Sequence, residues 1–177
     1  MPATIRDALP SDAAALCEAE RDVVREHDGL LVSEPEELFE AAFRERIAIH
    51  IGGSAKVLIA ECAGAIVGHA SLWPMSLRKV SHVLRLDMCV HLGHWHQGHG
   101  RALLESLLAW ARAHPGSSKV ELLVRSENRS AVALYESAGF IHEGRIRNRI
   151  RLRDGRLIDD LSMGMLLHKS GDTGRGL

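Results

Sequence analysis

The sequence predicts a mixed α/β fold, in which about four helices flank a twisted, mostly antiparallel sheet of about seven strands. Short apolar or alternating runs recur along the chain, and stretches with helical spacing lie between them. Their order is β-α-α-β-β-β-α-β-α-β-β. Strands that are joined directly are predicted to pair antiparallel, and the two later helices are predicted to be crossover connections.

The N-terminal region is predicted to contain one strand and two helices. These elements are predicted at residues 4–8, 10–27 and 33–46. Ser11 or Asp12 is expected to cap the first helix. The start of the second helix rests on a predicted capping box, in which Ser33 is the cap and Glu36 completes the box.

The central region is predicted to form three strands, of which the first two make a hairpin through a turn at 62–64. The strands are predicted at residues 56–61, 65–72 and 81–90. In the third strand, alternate residues are apolar and are expected to share one face: Leu84, Leu86, Met88 and Val90.

The C-terminal region is predicted to contain two helices and three strands. The first helix is indicated by apolar residues at helical spacing: Leu103, Leu104, Leu107, Leu108 and Ala111. A shorter helix is predicted over 128–139, and the strands are predicted at 119–124, 140–150 and 157–167. The polar tail over 169–177 is expected to be loose, so a single domain is predicted over 1–168.

Composition limits the class of protein. The chain has 177 residues, of which 46% are apolar and 25% charged, as in globular domains. The 22 basic residues nearly balance the 23 acidic ones, so no nucleic-acid partner is expected. Three separated cysteines favour a reducing cytoplasm. No run is long and apolar enough for a signal peptide or a membrane span, so a cytoplasmic protein without a membrane partner is expected.

Charge is unevenly distributed along the chain. The first forty residues contain eleven acidic and three basic side chains, whereas six arginines lie between residues 145 and 156. Solvated helix faces and an edge strand are the simplest interpretation. The alternative is an acidic lip that attracts a cationic acceptor.

A glycine-containing loop precedes the helix that begins near Gly98 and Gly100. Free N–H groups and the helix dipole at such a start favour phosphate, and Arg101 could add a positive charge. The loop lacks a Walker motif, and Leu103 stands where a dinucleotide fingerprint needs another glycine. A pyrophosphate cradle of the kind that holds coenzyme A and a plain strand–helix turn both remain open.

The same loop region contains four closely spaced histidines, which raise the alternative of a metal site: His91, His94, His96 and His99. Their spacing matches no standard zinc motif, and no cysteine or carboxylate lies among them. We therefore expect no metal.

The helix over 128–139 contains Tyr135, which is the only tyrosine of the chain. The simplest interpretation makes Asn128 an N-cap and Tyr135 a core residue. A phenol with a pKa of about 10 is also matched to protonating a departing thiolate, whose pKa is roughly 8.5.

Taken together, the loop and this helix resemble the motifs of the GNAT superfamily of N-acetyltransferases. The motif Asn-x-x-Ala-x-x-Leu-Tyr-x-x-x-Gly-Phe is matched by Asn128, Ala131, Leu134, Tyr135, Gly139 and Phe140. The motif Arg/Gln-x-x-Gly-x-Gly/Ala has both glycines, but Trp95 stands at its first position. The resemblance covers roughly residues 3–168, and its finer features are similar to a bacterial branch that acts on free L-amino acids.

The resemblance implies a GNAT fold whose sheet splays between strands 4 and 5, with acetyl-CoA in the splay and no metal. The pantetheine would pair with main chain around Cys89, and the pyrophosphate would lie on the loop over 97–101. The implied cofactor-binding residues are Met88, Cys89, Val90, Trp95, His96, Gln97, Gly98, His99, Gly100, Arg101, Asn128, Ala131 and Tyr135.

The resemblance also implies direct attack of an amine on the thioester. Tyr135 would protonate the leaving thiolate, and an N–H near Val90 could polarise the carbonyl. Candidates for the base that takes the amine proton are Asp87, His82 and His69.

The favoured acceptor is a primary amine of a small molecule, such as an amino acid or a related metabolite. A protein or peptide N-acetyltransferase, acting on an N-terminus or a lysine, is a second hypothesis, and a non-catalytic acyl-CoA-binding module is a third. A homodimer is common among similar proteins and is kept as an option.

Overall fold

The computed structural model describes residues 3–167, and its elements follow the predicted order. The strands are β1 (Thr4–Asp7), β2 (Lys56–Cys62), β3 (Ala65–Pro74), β4 (Val83–Val90), β5 (Lys119–Arg125), β6 (Ile141–Arg151) and β7 (Leu157–Leu166). The α-helices are α1 (Ala13–Glu26), α2 (Glu40–Ile51), α3 (His99–Ala113) and α4 (Arg129–Ser137). The tail predicted over 169–177 lies outside the described residues.

The strands form one sheet in the order β1-β2-β3-β4-β5-β7-β6. Every neighbouring pair is antiparallel except β4 and β5, which run parallel. That parallel pair is short, because only residues 83–85 of β4 are in register with 119–121 of β5. Beyond residue 85 the two strands separate. The predicted mixed, mostly antiparallel sheet with a splay between strands 4 and 5 is therefore confirmed.

Helices cover the two faces of the sheet. On one face, α3 packs on the strands through leucines that are almost fully buried: Leu103, Leu104, Leu107 and Leu108. On the other face, α1 and α2 enclose a second core that includes Leu16, Phe43, Ile47, Val57 and Ile59. Each fully buried side chain of this size contributes roughly 1.5–3 kcal/mol, so both faces are firmly covered.

The two N-terminal helices begin differently from the prediction. A 3-10 turn over Pro10–Asp12 precedes α1, and the carboxylate of Asp12 accepts the main-chain N–H of Leu9 at 2.7 Å. The same carboxylate forms a 2.9 Å ion pair with Arg6. Asp12 is thus the N-cap residue of α1, but its side chain fixes the segment before the helix instead of bonding the helix N–H groups.

The predicted capping box of Ser33 and Glu36 is wrong by one residue. The main-chain N–H of Glu34 donates to the carboxylate of Glu37 at 2.8 Å, which closes a 3-10 turn. Pro35 explains the shift, because the residue before a proline is held in an extended conformation. The turn ends at once, and α2 begins several residues later than predicted.

The turn between β6 and β7 holds the segment after α1 in place. Arg153 donates from Nη2 to the carbonyl of Val24 at 2.8 Å, and its main-chain N–H donates to the carboxylate of Asp28 at 2.7 Å. Leu152 packs so closely on Gly29 that a Cβ there would lie 2.4 Å from its side chain. These contacts fix the α1–α2 connection across one face of the sheet.

The arginine-rich segment lies largely on β6, which is an edge strand of the sheet. All but one of the residues of β6 are exposed, and Arg145 pairs with Asp159 of β7 at 2.6 Å. The interpretation of this basic run as a solvated edge strand is therefore confirmed.

Candidate active site

A cleft of about 1040 Å³ opens where β4 leaves β5. One wall comes from α1, α2 and the α1–α2 connection, and the other comes from the starts of α3 and α4. Most of the predicted cofactor residues line it: Met88, Cys89, Val90, Trp95, His96, Gly98, His99, Gly100, Arg101, Asn128, Ala131 and Tyr135. The structure therefore brings the two sequence motifs together in one place.

The edge of β4 presents main-chain groups to the splay. The N–H of His91 donates to the carbonyl of Val67 at 3.0 Å, so His91 bonds to β3. Only every second residue of an antiparallel ladder bonds to a given neighbour. By this alternation the main chain of Cys89 also faces β3, whereas the main chains of Met88 and Val90 face the splay.

The side chain of Trp95 forms a hydrogen bond with one of these main-chain groups. Its indole Nε1 donates to the carbonyl oxygen of Val90 at 2.7 Å. Its ring also contacts the ring of His27, with centroids 4.6 Å apart. Trp95 thus joins the loop before α3 to the end of α1, and it leaves the N–H of Val90 as the polar group of that residue that faces the splay.

The start of α3 is shaped by its glycines. Gly98 has a φ of 87°, which side chains rarely allow, and no atom lies within 4 Å of a Cβ placed there. At Gly100 a Cβ would lie 3.4 Å from side chains of Val90 and Leu134. The backbone before α3 is therefore open to the cleft, while the first turn packs closely on β4 and α4.

Two polar side chains of the predicted pyrophosphate loop bind within the protein. Gln97 donates to the carbonyl of Gly93 at 3.0 Å, and it does not line the cleft. Arg101 lines the cleft and donates to the hydroxyl of Ser137 at 3.1 Å. Gln97 thus supports the loop from outside, whereas Arg101 links α3 to α4 beside the opening.

The loop histidines do not converge on one point. Across residues 3–167, no three or more His, Cys, Asp or Glu side chains are grouped so that they could hold a metal ion. His91 instead bonds to a neighbouring histidine and a carbonyl. His94 and His99 lie with their ring centroids 6.3 Å apart.

Tyr135 lies at the bottom of the cleft and is only 7% exposed. Its ring packs edge-on against Phe140 at 5.7 Å between centroids. Burial raises the pKa of the phenol, and the nearby acidic groups Asp87 and Cys89 raise it further. Within residues 3–167 its hydroxyl has no hydrogen-bond partner. It is therefore a protonated donor that is free to bond a group in the cleft.

Asp87 projects from β4 into the same cleft. Its carboxylate is open to the cleft but surrounded by protein, and this burial raises its pKa. The positive charges of Arg85 and Arg46 oppose that effect without cancelling it. A carboxylate with a raised pKa accepts a proton more readily than an ordinary aspartate.

Three side chains form a hydrogen-bonded line from the cleft into the sheet. Glu20 Oε1 lies 2.8 Å from His69 Nε2, and His69 Nδ1 lies 3.0 Å from His91 Nε2. His91 Nδ1 ends the line 3.0 Å from the carbonyl oxygen of Ile66. Both ring nitrogens of His69 are therefore engaged, which leaves none free to take a proton from an amine.

The structure does not bring His82 to the cleft. It is exposed, it precedes β4 at the end opposite Val90, and its carbonyl accepts the N–H of Ser118. An acceptor bound near Val90 is out of its reach, because β4 is extended between the two residues. The hypothesis that His82 is the base is therefore not carried further.

Asn128 is the N-cap of α4, as its simplest interpretation predicts. Its side-chain Oδ1 accepts the N–H of Ala131 at 3.2 Å and the hydroxyl of Ser130 at 3.1 Å. Asn128 and Ala131 also line the cleft. The cap thus fixes the start of the helix that carries Tyr135 about two turns later.

Sequence reasoning missed Glu20 and Arg46, which both line the cleft. The sequence does contain a pattern that marks Glu20 as unusual. This residue lies four residues after the buried Leu16 and four before the buried Val24, so it belongs to the core-facing stripe of α1. A charged side chain in such a stripe indicates a buried partner or a site.

The fold and the cleft define an acyltransferase of a known family. A profile of the acetyltransferase (GNAT) family matches residues 21–140. The chain therefore belongs to the GNAT family of acetyltransferases.

Individual relatives are similar over most of the chain. It is 28% identical to the L-amino acid N-acetyltransferase AaaT of Escherichia coli (strain K12) over 117 residues, which is 66% of this chain and 70% of that protein. The structure of yncA from Salmonella typhimurium, with its cofactor acetyl-CoA, superposes with a TM-score of 0.85 at 23% identity and covers 99% of this chain and 100% of that one. A ribosomal-protein-alanine N-acetyltransferase from Brucella melitensis has a TM-score of 0.83 at 27% identity, over 93% and 99% of the two chains.

No helix within residues 3–167 has the length and apolar character needed to cross a membrane.

Proposed function

We propose that this protein is an N-acetyltransferase that transfers the acetyl group of acetyl-CoA to the primary amine of a small molecule, an amino acid or a related metabolite. The observation that carries the proposal is the meeting of Tyr135 and Asp87 in the cleft beside the open edge of β4. One group is a protonated donor and the other is a carboxylate with a raised pKa. Such a pair suits a reaction that removes a proton from one reactant and gives a proton to the other.

The cleft fits acetyl-CoA in two respects. The main chains of Met88 and Val90 face the splay, where an extended pantetheine could bond as an added strand does. The loop before α3 is open at Gly98, and the N–H groups of the first helical turn favour phosphate oxygens. Arg101 lines the same opening and could add a positive charge.

Acetyl-CoA supplies the acetyl group as a thioester. Asp87 takes a proton from the acceptor's ammonium group, and the N–H of Val90 binds the carbonyl oxygen as negative charge develops on it. The new N–C bond forms as the C–S bond breaks, and the sulfur takes the electron pair. Tyr135 then donates its proton to that sulfur, the second proton that the nitrogen loses restores the phenol of Tyr135, and Asp87 releases its proton to solvent. Asn128 orients the bound group from the start of α4.

Two features favour a small acceptor over an extended peptide. The α1–α2 connection is held across the sheet by the β6–β7 turn through Arg153, which closes one side of the cleft. The acceptor wall carries both signs of charge, with carboxylates from Glu20 and Asp87 and a guanidinium from Arg46. A zwitterionic amine complements such a wall. The similarity to an L-amino acid N-acetyltransferase supports the same class.

The test is thiol release from acetyl-CoA with a panel of L-amino acids, other small amines and N-terminal or lysine-containing peptides. We expect turnover with one or more small amines and little with peptides. Turnover with peptides alone would support a protein N-acetyltransferase and contradict the small-molecule assignment. Tight binding of acetyl-CoA without any turnover would support an acyl-CoA-binding module.

A further inference from the structure

The line from Glu20 to Ile66 fixes where its protons lie. A carbonyl oxygen can only accept, so the proton between His91 and Ile66 belongs to His91 Nδ1. Burial, followed by the charge of His69, lowers the pKa of His91 to about 4. His91 is therefore neutral at pH 7, and its Nε2 is an acceptor. His69 Nδ1, 3.0 Å away, must donate to it.

One more proton lies between His69 and Glu20. The contact of His69 Nε2 with Glu20 Oε1 is 2.8 Å, which requires a shared proton. Burial alone raises the pKa of Glu20, but the hydrogen bond and charge of His69 and the charge of Arg46 outweigh it, so the pKa is lowered. The carboxylate is thus the stable form, and His69 Nε2 donates the shared proton to its Oε1.

The line is a support and not a route for protons. It ends at the carbonyl of Ile66, which cannot pass a proton on. Its effect is to hold the carboxylate of Glu20 by one oxygen, Oε1, from inside the protein. The other oxygen, Oε2, has no partner within residues 3–167, and Glu20 lines the cleft.

The charged groups around Glu20 come from three elements and from the residue that follows β4. His69 lies behind it on β3, Arg46 faces it from α2, Asp87 faces it from β4, and His91 lies beyond His69. Arg46 is also held over the ring of Phe43, at 5.6 Å from its centroid. Because His69 occupies only Oε1, on the inner side, Oε2 remains an acceptor for a cation in the cleft.

We propose that Glu20 binds the ammonium group of the acceptor, and that His69 and His91 are positioning residues that hold its carboxylate. The inference rests on the proposed function, because it assigns the amine end of the same cleft. The two carboxylates then have different roles. Glu20, fixed by His69, binds the ammonium group of the acceptor, whereas Asp87 takes a proton from it.

The test uses the protein without acetyl-CoA and a minimal pair of probes, n-butylammonium chloride and n-butanol. Histidine ring ¹⁵N signals report binding and proton positions at pH 7. We expect N–H on Nδ1 of His91, whose partner is a carbonyl oxygen. We also expect n-butylammonium to shift the His69 signals in a saturable manner at concentrations where n-butanol does not.

Three variants make this test specific. Glu20→Gln should weaken n-butylammonium binding at least tenfold, because it removes the negative charge and keeps the shape of the side chain. Glu20→Asp should retain part of the binding, because it keeps the charge on a shorter side chain. Glu18→Gln, on the exposed face of the same helix, should bind like the wild type. In the transfer assay, Glu20→Gln should raise the KM for the amine at least tenfold and leave the KM for acetyl-CoA within twofold.

Equal binding of n-butanol and n-butylammonium, or unchanged binding in Glu20→Gln, would overturn the inference. Because the probe experiment needs no acetyl-CoA, its result is separate from the proposed function. If the protein binds n-butylammonium through Glu20 but transfers no acetyl group, this inference stands and the proposed function fails.

Discussion

The indole N–H of Trp95 donates to the main-chain carbonyl of Val90 across 2.7 Å, at the point where β4 ends beside the cleft. This bond orients the last peptide groups of β4, which the proposed reaction uses to bind the thioester. Trp95 stands where the family motif has Arg or Gln. In this chain the position therefore supports the strand instead of supplying a charge.

Trp95→Phe should remove this hydrogen bond and keep most of the ring contact with His27. We expect a loss of about 1 kcal/mol in the free energy of unfolding. We also expect a fall of roughly tenfold in kcat/KM for acetyl-CoA, because a loss of about 1.4 kcal/mol in the transition state corresponds to that factor. Urea unfolding and steady-state kinetics measure both. Trp110→Phe, which removes a stacking contact with His114, is the control and should not change the kinetics.

Tyr135→Phe should lower kcat and leave the KM for acetyl-CoA within twofold. Removing a general acid lowers rates by roughly 10²–10⁴-fold. The ring remains packed on Phe140, and the lost hydroxyl has no partner within residues 3–167, so stability should be preserved. Steady-state thiol release gives kcat and KM together. An unchanged kcat would remove Tyr135 from the mechanism.

Asp87→Asn should abolish the acid limb of the pH–rate profile. A base acts only when deprotonated, so the rate falls as pH drops through its pKa. Because burial raises the pKa of Asp87, this fall should begin above the range of an ordinary aspartate. We expect kcat/KM for the amine to fall roughly 10²-fold or more at pH 7. A variant that keeps the wild-type acid limb would assign the base to another group.

Gly98→Ala and Gly100→Ala should differ in their effect on cofactor affinity. Gly98 has a φ of 87°, where a side chain costs roughly 1–2 kcal/mol, so the alanine should distort the loop before α3. Gly100 would accept a Cβ at ordinary contact distance, 3.4 Å from Leu134 and Val90. We expect a KM for acetyl-CoA raised about fivefold or more in Gly98→Ala and within twofold in Gly100→Ala. Similar effects of both would argue against the loop as the phosphate site.

His91 should make the protein less stable in mild acid. Its pKa is about 4 in the folded protein against 6.5 in the unfolded chain, so between these values the unfolded chain binds more protons. Stability is therefore complete above pH 6.5 and falls as pH drops toward 4. The contribution of His91 is about 2 kcal/mol between pH 7 and pH 5. Urea unfolding at both pH values should show a smaller difference in His91→Asn than in the wild type.

Much of the fold follows from local patterns in the sequence. The strands follow from two-residue periods and the helices from longer ones, whereas the splay is implied only by the resemblance to the GNAT superfamily. The start of α2 does not follow from local patterns, because the capping box before it closes a 3-10 turn over Pro35–Glu37 and does not open the helix, which begins at Glu40 without a side-chain cap.

The acceptor side of the site was the harder part to predict. Glu20 and His69 are 49 residues apart, and His69 and His91 are 22 apart, so no motif joins them. They meet only because the β3–β4 register places His69 beside Cys89 and α1 packs over that point. His69 by itself suggested a base, and its two occupied nitrogens show that it supports Glu20 instead.

The central claim, that the splay between β4 and β5 binds acetyl-CoA, is tested most directly by calorimetric titration of acetyl-CoA into the protein. We expect one site per chain with a dissociation constant roughly in the micromolar range, as is usual for enzyme substrates. Absence of measurable binding at millimolar acetyl-CoA would contradict the account.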